Sequence, residues 1–160
     1  MIYLLDANVF IQAKNLHYGF DFCPAFWDWI DNSHRAGTVF SIERVATELA
    51  AGGDDLADWA QQRPGLFLQP DALVVPSLQT IAIWASGHGY DPVAVATFLQ
   101  VADYYLVAHA HAHGYTIVTH EIVASTVRRI KIPNACIDLG VRYLSPYEML
   151  RAERARFVLP

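Results

Sequence analysis

Ile2-Tyr3-Leu4-Leu5, followed at once by Asp6-Ala7-Asn8, is the stretch on which the fold turns. Four apolar residues in unbroken succession, rather than in alternation, suit a strand buried on both faces, as in a parallel sheet. A carboxylate directly after such a strand lies at its carboxyl end, where open α/β sheets bind their ligands. Working outward, Pro24 opens a helix that runs through His34 and is broken by Gly37. Thr38-Val39-Phe40 reads as a second strand, and Ser41 as the N-cap of a helix from Ile42 to Ala51. Gly52-Gly53 ends that helix. Asp54 caps another through Gln62, stopped by Pro64-Gly65, and Leu73 to Ala85 reads as a further helix. Asp91-Pro92 starts a helix that nothing interrupts before Gly114, about 33 Å of it. Tyr115 to Val118 is an apolar strand, Ala135 to Asp138 reads as a last one, and Ser145-Pro146 opens a final helix. Helices alternating with short apolar strands predict one α/β domain over residues 1–160. Its central parallel sheet should have about four to five strands, flanked by helices.

Composition narrows the class. Of 160 residues, 54% are hydrophobic and 17% charged, which excludes a disordered chain or a coiled coil. Cys23 and Cys136 form no CxxC pair and no disulfide framework, so a reducing compartment is expected. Residues 72–90 carry no charged side chain, yet Pro76, Gly87 and Gly89 break the stretch before it could span a bilayer. The first residues lack a basic segment and place an acid at position 6, unlike a signal peptide. No membrane association and a cytoplasmic location are the expectations. Net charge is −5, which argues against a generic nucleic-acid-coating surface. The charge is uneven, however: Arg128, Arg129, Lys131, Arg142, Arg151, Arg154 and Arg156 crowd the C-terminal part. That region is either a solvated face or an anion-binding surface.

The carboxylates carry the chemical signal. Asp6 ends one apolar strand, and Glu121 follows another, three residues beyond Val118. Asp103 has Leu99, Gln100, Leu106 and Val107 at helical spacing, so no base lies within reach along its own helix. Glu48 has Arg44 one turn earlier, and an ordinary surface pair would explain it. Glu43 lies in the first turn of its helix, where the dipole alone accounts for a negative charge. Carboxylates converging without conjugate bases make a hard-cation site of the Mg²⁺ or Mn²⁺ type. Spacing alone does not assemble this set.

A competing pattern is His109, His111 and His113, two of which share a helix face, although no third metal ligand lies at a useful spacing. Phe20, Phe22, Phe26, Trp27 and Trp29 are open to three readings: core packing, a homodimer surface or base stacking.

Three segments in order resemble one known family. LLDANVFI (Leu4 to Ile11) is similar to the opening strand of PIN-domain proteins, and SIERVATEL (Ser41 to Leu49) to their second motif, a strand-end serine before a glutamate-bearing helix. ADYYLVAHAHAHGYTIVTHE (Ala102 to Glu121) resembles the family's AD-x-x-L-V-A-x-A…G…I-V-T-x-D segment, and SPYEML (Ser145 to Leu150) its return to a last short helix. The resemblance implies a PIN-like ribonuclease, either a VapC-like toxin of a toxin–antitoxin pair or a related small stand-alone protein. It implies Asp6, Glu48, Asp103 and Glu121 as catalytic and metal-holding acids with Mg²⁺ or Mn²⁺, RNA as substrate, and an antitoxin as partner. Asn8 and Thr119 become candidate orienting groups, and Arg128 and Arg129 candidate phosphate holders. Two departures stand out: the fourth acid is Glu121 where the family usually has Asp, and the segment from Asp54 to Tyr90 is longer than in the smallest members. A catalytically idle PIN-like module that binds RNA or protein is the alternative.

Overall fold

Tyr3–Leu5 (β1) is the middle strand of a five-stranded sheet, and all three of its side chains are buried. The structure, a computed structural model, describes residues 1–160. After β1 come helix α1 (Ala7–Gln12), extended by a wider π turn over Ala13–His17, and the amphipathic α2 (Pro24–Arg35), which buries Phe26, Trp27 and Ile30. Strand β2 (Val39–Ile42) leads into α3 (Glu43–Ala51), then α4 (Asp55–Gln61) and β3 (Phe67–Leu68). Helices α5 (Val74–Gly87), α6 (Pro92–Phe98) and α7 (Ala102–His113) precede β4 (Thr116–Val118). Last come α8 (Ile132–Leu139), β5 (Tyr143–Leu144) and α9 (Pro146–Ala152).

The strand order is β3-β2-β1-β4-β5, with every pairing parallel. Parallel neighbours need crossovers, and the helices that make them cover both faces, which is why the strands are apolar without alternation. The chain builds outward from β1 on one side as far as β3, then returns to build β4 and β5 on the other. The reversal falls between β1 and β4, and a crevice at the carboxyl ends of those two strands is where an open sheet takes its ligand. The arrangement is a PIN-like α/β fold.

Three sequence expectations are corrected. The single helix from Pro92 to Gly114 is two helices, bent by 69° at Leu99–Val101. Val101 is extended (φ −106°, ψ 165°), a conformation that suits its branched side chain, and it restarts the chain as α7. Asp103 therefore lies in the first turn of a helix, where the dipole favours it, rather than mid-helix. Ala135 to Asp138 is helical, not a strand: Pro133 sits in the first turn of α8 and Gly140 closes it at φ +72°. The last strand is instead Tyr143–Leu144. Ser41 caps nothing. It ends β2 with its hydroxyl donating to the Leu5 carbonyl at 2.6 Å, and Ile42 is the residue that precedes α3.

Other expectations hold. Asp54 caps α4 through Ala57 N–H, and Ser145 with Glu148 forms a reciprocal capping box on α9. Phe26 and Trp27 pack the core, Phe20 lies against Trp27 at 4.3 Å between ring centres, and Phe22 stays exposed. The histidines are tied into the fold. His109 and His113 stack at 4.9 Å, His113 pairs with Asp71 at 2.8 Å, and His111 meets the Ser77 hydroxyl at 2.8 Å. Asp71 and Ser77 belong to the long segment 54–90, so these histidines fasten that segment onto α7. No single helix is long and apolar enough to cross a membrane.

Candidate functional site: an acidic crevice at the sheet edge

Asp6 occupies the crevice because β1 ends there. Its backbone N–H still bonds to the Val118 carbonyl across to β4 (2.9 Å), while one carboxylate oxygen accepts from Ala7 N–H at 2.7 Å and caps α1. The other oxygen accepts from the Thr119 hydroxyl at 2.8 Å. Thr119 in turn accepts from Asn8 Nδ2 (3.3 Å) and from Glu121 N–H (3.1 Å), and Asn8 Oδ1 accepts from His120 N–H (3.2 Å). Asn8 and Thr119 thus stitch the turn after β1 to the turn after β4. What they hold in this structure is the acids, Asp6 above all.

The fixed position of Asp6 begins with Ser41. The hydroxyl, fully buried, satisfies the Leu5 carbonyl just where the chain turns into Asp6. Ser41→Ala should leave that carbonyl unpartnered and cost about 1–3 kcal/mol. A denaturant midpoint shift with unchanged slope is the expected readout. Ser41→Ala indistinguishable from wild type would show that the bond contributes nothing.

Asp103 enters from the first turn of α7 and Glu121 from the turn after β4. Asp6, Glu48, Asp103 and Glu121, with Asn8 and Arg129, line one cleft. Burial, then the charge of Asp103, then that of Glu121 push the Asp6 carboxyl up to about 8. Burial first, then Glu121 and Glu48, push Asp103 up to about 7, against the opposing pull of Arg129 and Lys131. One oxygen of Glu121 meets Ile132 N–H at 3.4 Å, and the other, Oε1, is buried with no partner. The Cys136 thiol is pushed up to about 12 by burial and by the Glu121 charge, so it is an inert core group and not a nucleophile.

Glu48 is not held by Arg44. The Arg44 guanidinium lies 3.9 Å above the Tyr105 ring instead, and no ion pair joins the two residues. The Glu48 carboxyl is raised by burial, with the Ala102 backbone opposing the rise. Glu48→Gln removes only the charge. It should fold normally and lose RNA cleavage, whereas Arg44→Ala should leave cleavage intact and cost about 0.5–1 kcal/mol through the lost ring contact. Equal, mild effects of both variants on cleavage would remove Glu48 from the site.

Arg128 and Arg129 are exposed, and neither is in an ion pair. Both line a second cleft that shares Glu48 and Asp103 with the first. Lys131, which the sequence offered only as one of several C-terminal bases, is close enough to bear on Asp103. No spacing rule points to it, because it arrives on the irregular loop between β4 and α8.

A family model described as a domain of unknown function (DUF4411) matches residues 3–157. The chain belongs to that family. No curated protein matches it. Among solved structures, the crystal structure of VapBC2 from Rickettsia felis, bound to a DNA fragment from its promoter, contains a similar chain. Identity is 15% and the TM-score 0.56, over 91% of this chain and 98% of that one. The likeness is one of fold.

Within this DUF4411 chain the crevice fits a hard divalent cation by donor type. Every candidate is a carboxylate oxygen, two of the acids hold their protons unusually tightly, and Glu121 Oε1 is buried without a partner. No three His, Cys, Asp or Glu side chains are yet arranged to hold an ion. The carboxylates share one cleft but stand apart from one another.

Proposed function

We propose that the chain is a metal-dependent endoribonuclease that hydrolyses RNA phosphodiester bonds at the crevice between β1 and β4. The observation that carries the reading is the convergence of Asp6, Glu48, Asp103 and Glu121 on one cleft at the topological switch point of the sheet, with Asp6 buried and one Glu121 oxygen orphaned. Asp6, Glu48, Asp103 and Glu121 would hold Mg²⁺ or Mn²⁺, which when bound supplies Lewis acidity toward an attacking water and the phosphate. Thr119 and Asn8 keep Asp6 aimed into the crevice, and Arg128 and Arg129 bring RNA phosphate to an otherwise acidic surface. Likeness of fold to a chain of the VapBC2 complex supports the further proposal of a toxin held in check by an antitoxin protein.

Incubating a labelled RNA with the purified protein in Mg²⁺, in Mn²⁺ and in excess chelator tests the activity. Cleavage in the metals alone is the expected result. No cleavage in either metal favours the second reading, an idle PIN-like module that binds RNA or protein. The open arrangement of the acids is the observation on its side.

A further inference from the structure

The larger of the two clefts that meet at Glu48 and Asp103 has a volume of about 470 Å³, within the range of about 300–1,000 Å³ usual for small-molecule sites. It exists because of the break between α6 and α7. Had the helix run straight from Pro92 to Gly114, α6 could not turn aside by 69° and stand off as a separate wall. Phe98 and Ile130, both buried, make the floor; Val93 and Thr97, both exposed, make the outer lip. Val93 is a branched apolar side chain open to solvent at 77% exposure, beside a cavity and with nothing packed over it. Arg128 and Arg129 line the same cleft with no acid paired to either, and Glu48 and Asp103 line it too.

A cleft lined by apolar side chains and two arginines, and joined to the acidic crevice through Glu48 and Asp103, matches the two halves of a nucleotide. A base presents a flat, weakly polar face, and its phosphate presents an anion that a guanidinium grips. We propose that this cleft is a nucleotide subsite, which takes the base of one RNA residue against α6 and its phosphate on Arg128 and Arg129. The placement of that residue next to the bond that is cut rests on the nuclease reading; the binding of a nucleotide does not. On this assignment α6 sets which base the protein prefers beside its cleavage point.

The test uses the full chain, methyl-labelled, in excess chelator so that no metal enters. AMP, CMP, GMP and UMP are titrated separately, with ribose 5-phosphate and inorganic phosphate as anion controls, while the methyl resonances of Val93, Thr97, Val101 and Ile130 are followed. Saturable shifts at these methyls are expected with at least one mononucleotide, which should bind about tenfold tighter than ribose 5-phosphate, as one stacked base is worth. Thr97→Trp fills the cleft from an exposed position and should weaken that binding about tenfold. Val93→Trp serves the same purpose should Thr97→Trp fail to fold. Equal binding of mononucleotide and ribose 5-phosphate would leave only an anion surface and overturn the subsite, as would tight binding unaffected by either tryptophan. Sequencing the cut ends of a random RNA pool separates the two readings. Cleavage without nucleotide binding overturns the subsite alone; nucleotide binding without cleavage supports the subsite and overturns the nuclease.

Discussion

Asp6→Asn should abolish RNA cleavage, by roughly 10³-fold or about 4 kcal/mol of transition-state stabilisation, while making the protein harder to melt at pH 8. Both effects come from the same carboxyl. It lies at the switch point, so its charge serves whatever reacts in the crevice. It is also buried beside Asp103 and near Glu121, which push it up to about 8. In the unfolded chain the group titrates at about 3.9. Between those two values the folded protein keeps a proton that the unfolded chain releases, so stability falls as pH rises from about 4 to about 8. At pH 8 the metal-free wild type carries part of the full charging cost, and asparagine carries none. Its carbonyl oxygen still accepts from Ala7 N–H, and its amide can donate to Thr119 Oγ once that hydroxyl turns round. The expected gain at pH 8 is a rise of several degrees in Tm. At pH 5 the loss has only begun, so the gain should be much smaller than at pH 8, and it should vanish below about pH 4. Asp103→Asn should follow the same pattern with a smaller pH-dependent gain, because Asp103 rises only to about 7 and Arg129 and Lys131 oppose the rise. Melts at both pH values in chelator, beside cleavage in Mn²⁺, read all of this. Wild-type cleavage by Asp6→Asn would sink the site assignment, and a gain equal at pH 5 and pH 8 would sink the buried-charge account.

How far the sequence carries this picture depends on how many residues each feature uses. β1 was legible because four consecutive apolar residues and a terminal acid have few other uses. The caps at Asp54 and Ser145 were legible from a side-chain oxygen just before a helix, a signal that failed at Ser41, whose hydroxyl turns to the Leu5 carbonyl instead. β3 and β5 were not, since two residues carry no periodicity and owe their pairing to β2 and β4. Ala135-Cys136-Ile137 is apolar in either a strand or a buried helix, and only the flanking Pro133 and Gly140 discriminate. The break at Val101 has neither glycine nor proline to announce it; only the extended backbone at that residue marks it. That is also why the cleft behind α6 was invisible. As for the acids, sequence pattern gave each of Asp6, Asp103 and Glu121 a reason to be unusual, while only the strand order brings them into one crevice.

Replacing Arg128 and Arg129 together with alanine should weaken RNA binding and flatten its salt dependence, with the melting temperature nearly unchanged. The structural alternative for these arginines is internal ion pairing with Asp138 and Glu148. The fold has other uses for both acids: Asp138 accepts from the Trp84 indole at 2.9 Å and faces His88 at 3.3 Å, and Glu148 closes the capping box of α9. Two exposed cations without partners hold nothing in place, so their loss should cost less than about 0.5 kcal/mol of stability. Both, however, line the cleft beside the acidic crevice, and Arg129 lines the crevice itself, in a chain of net charge −5. Each phosphate contact on a single strand contributes about 0.7 to the slope of log affinity against log salt, so the double variant should lose about 1.4. Arg128→Ala alone should lose half of that. Arg129→Ala should lose as much and also raise the Asp103 carboxyl further, because Arg129 opposes its rise. An unchanged slope together with a lowered Tm would show that these arginines stabilise the fold. An unchanged slope with an unchanged Tm would move the RNA path elsewhere on the surface.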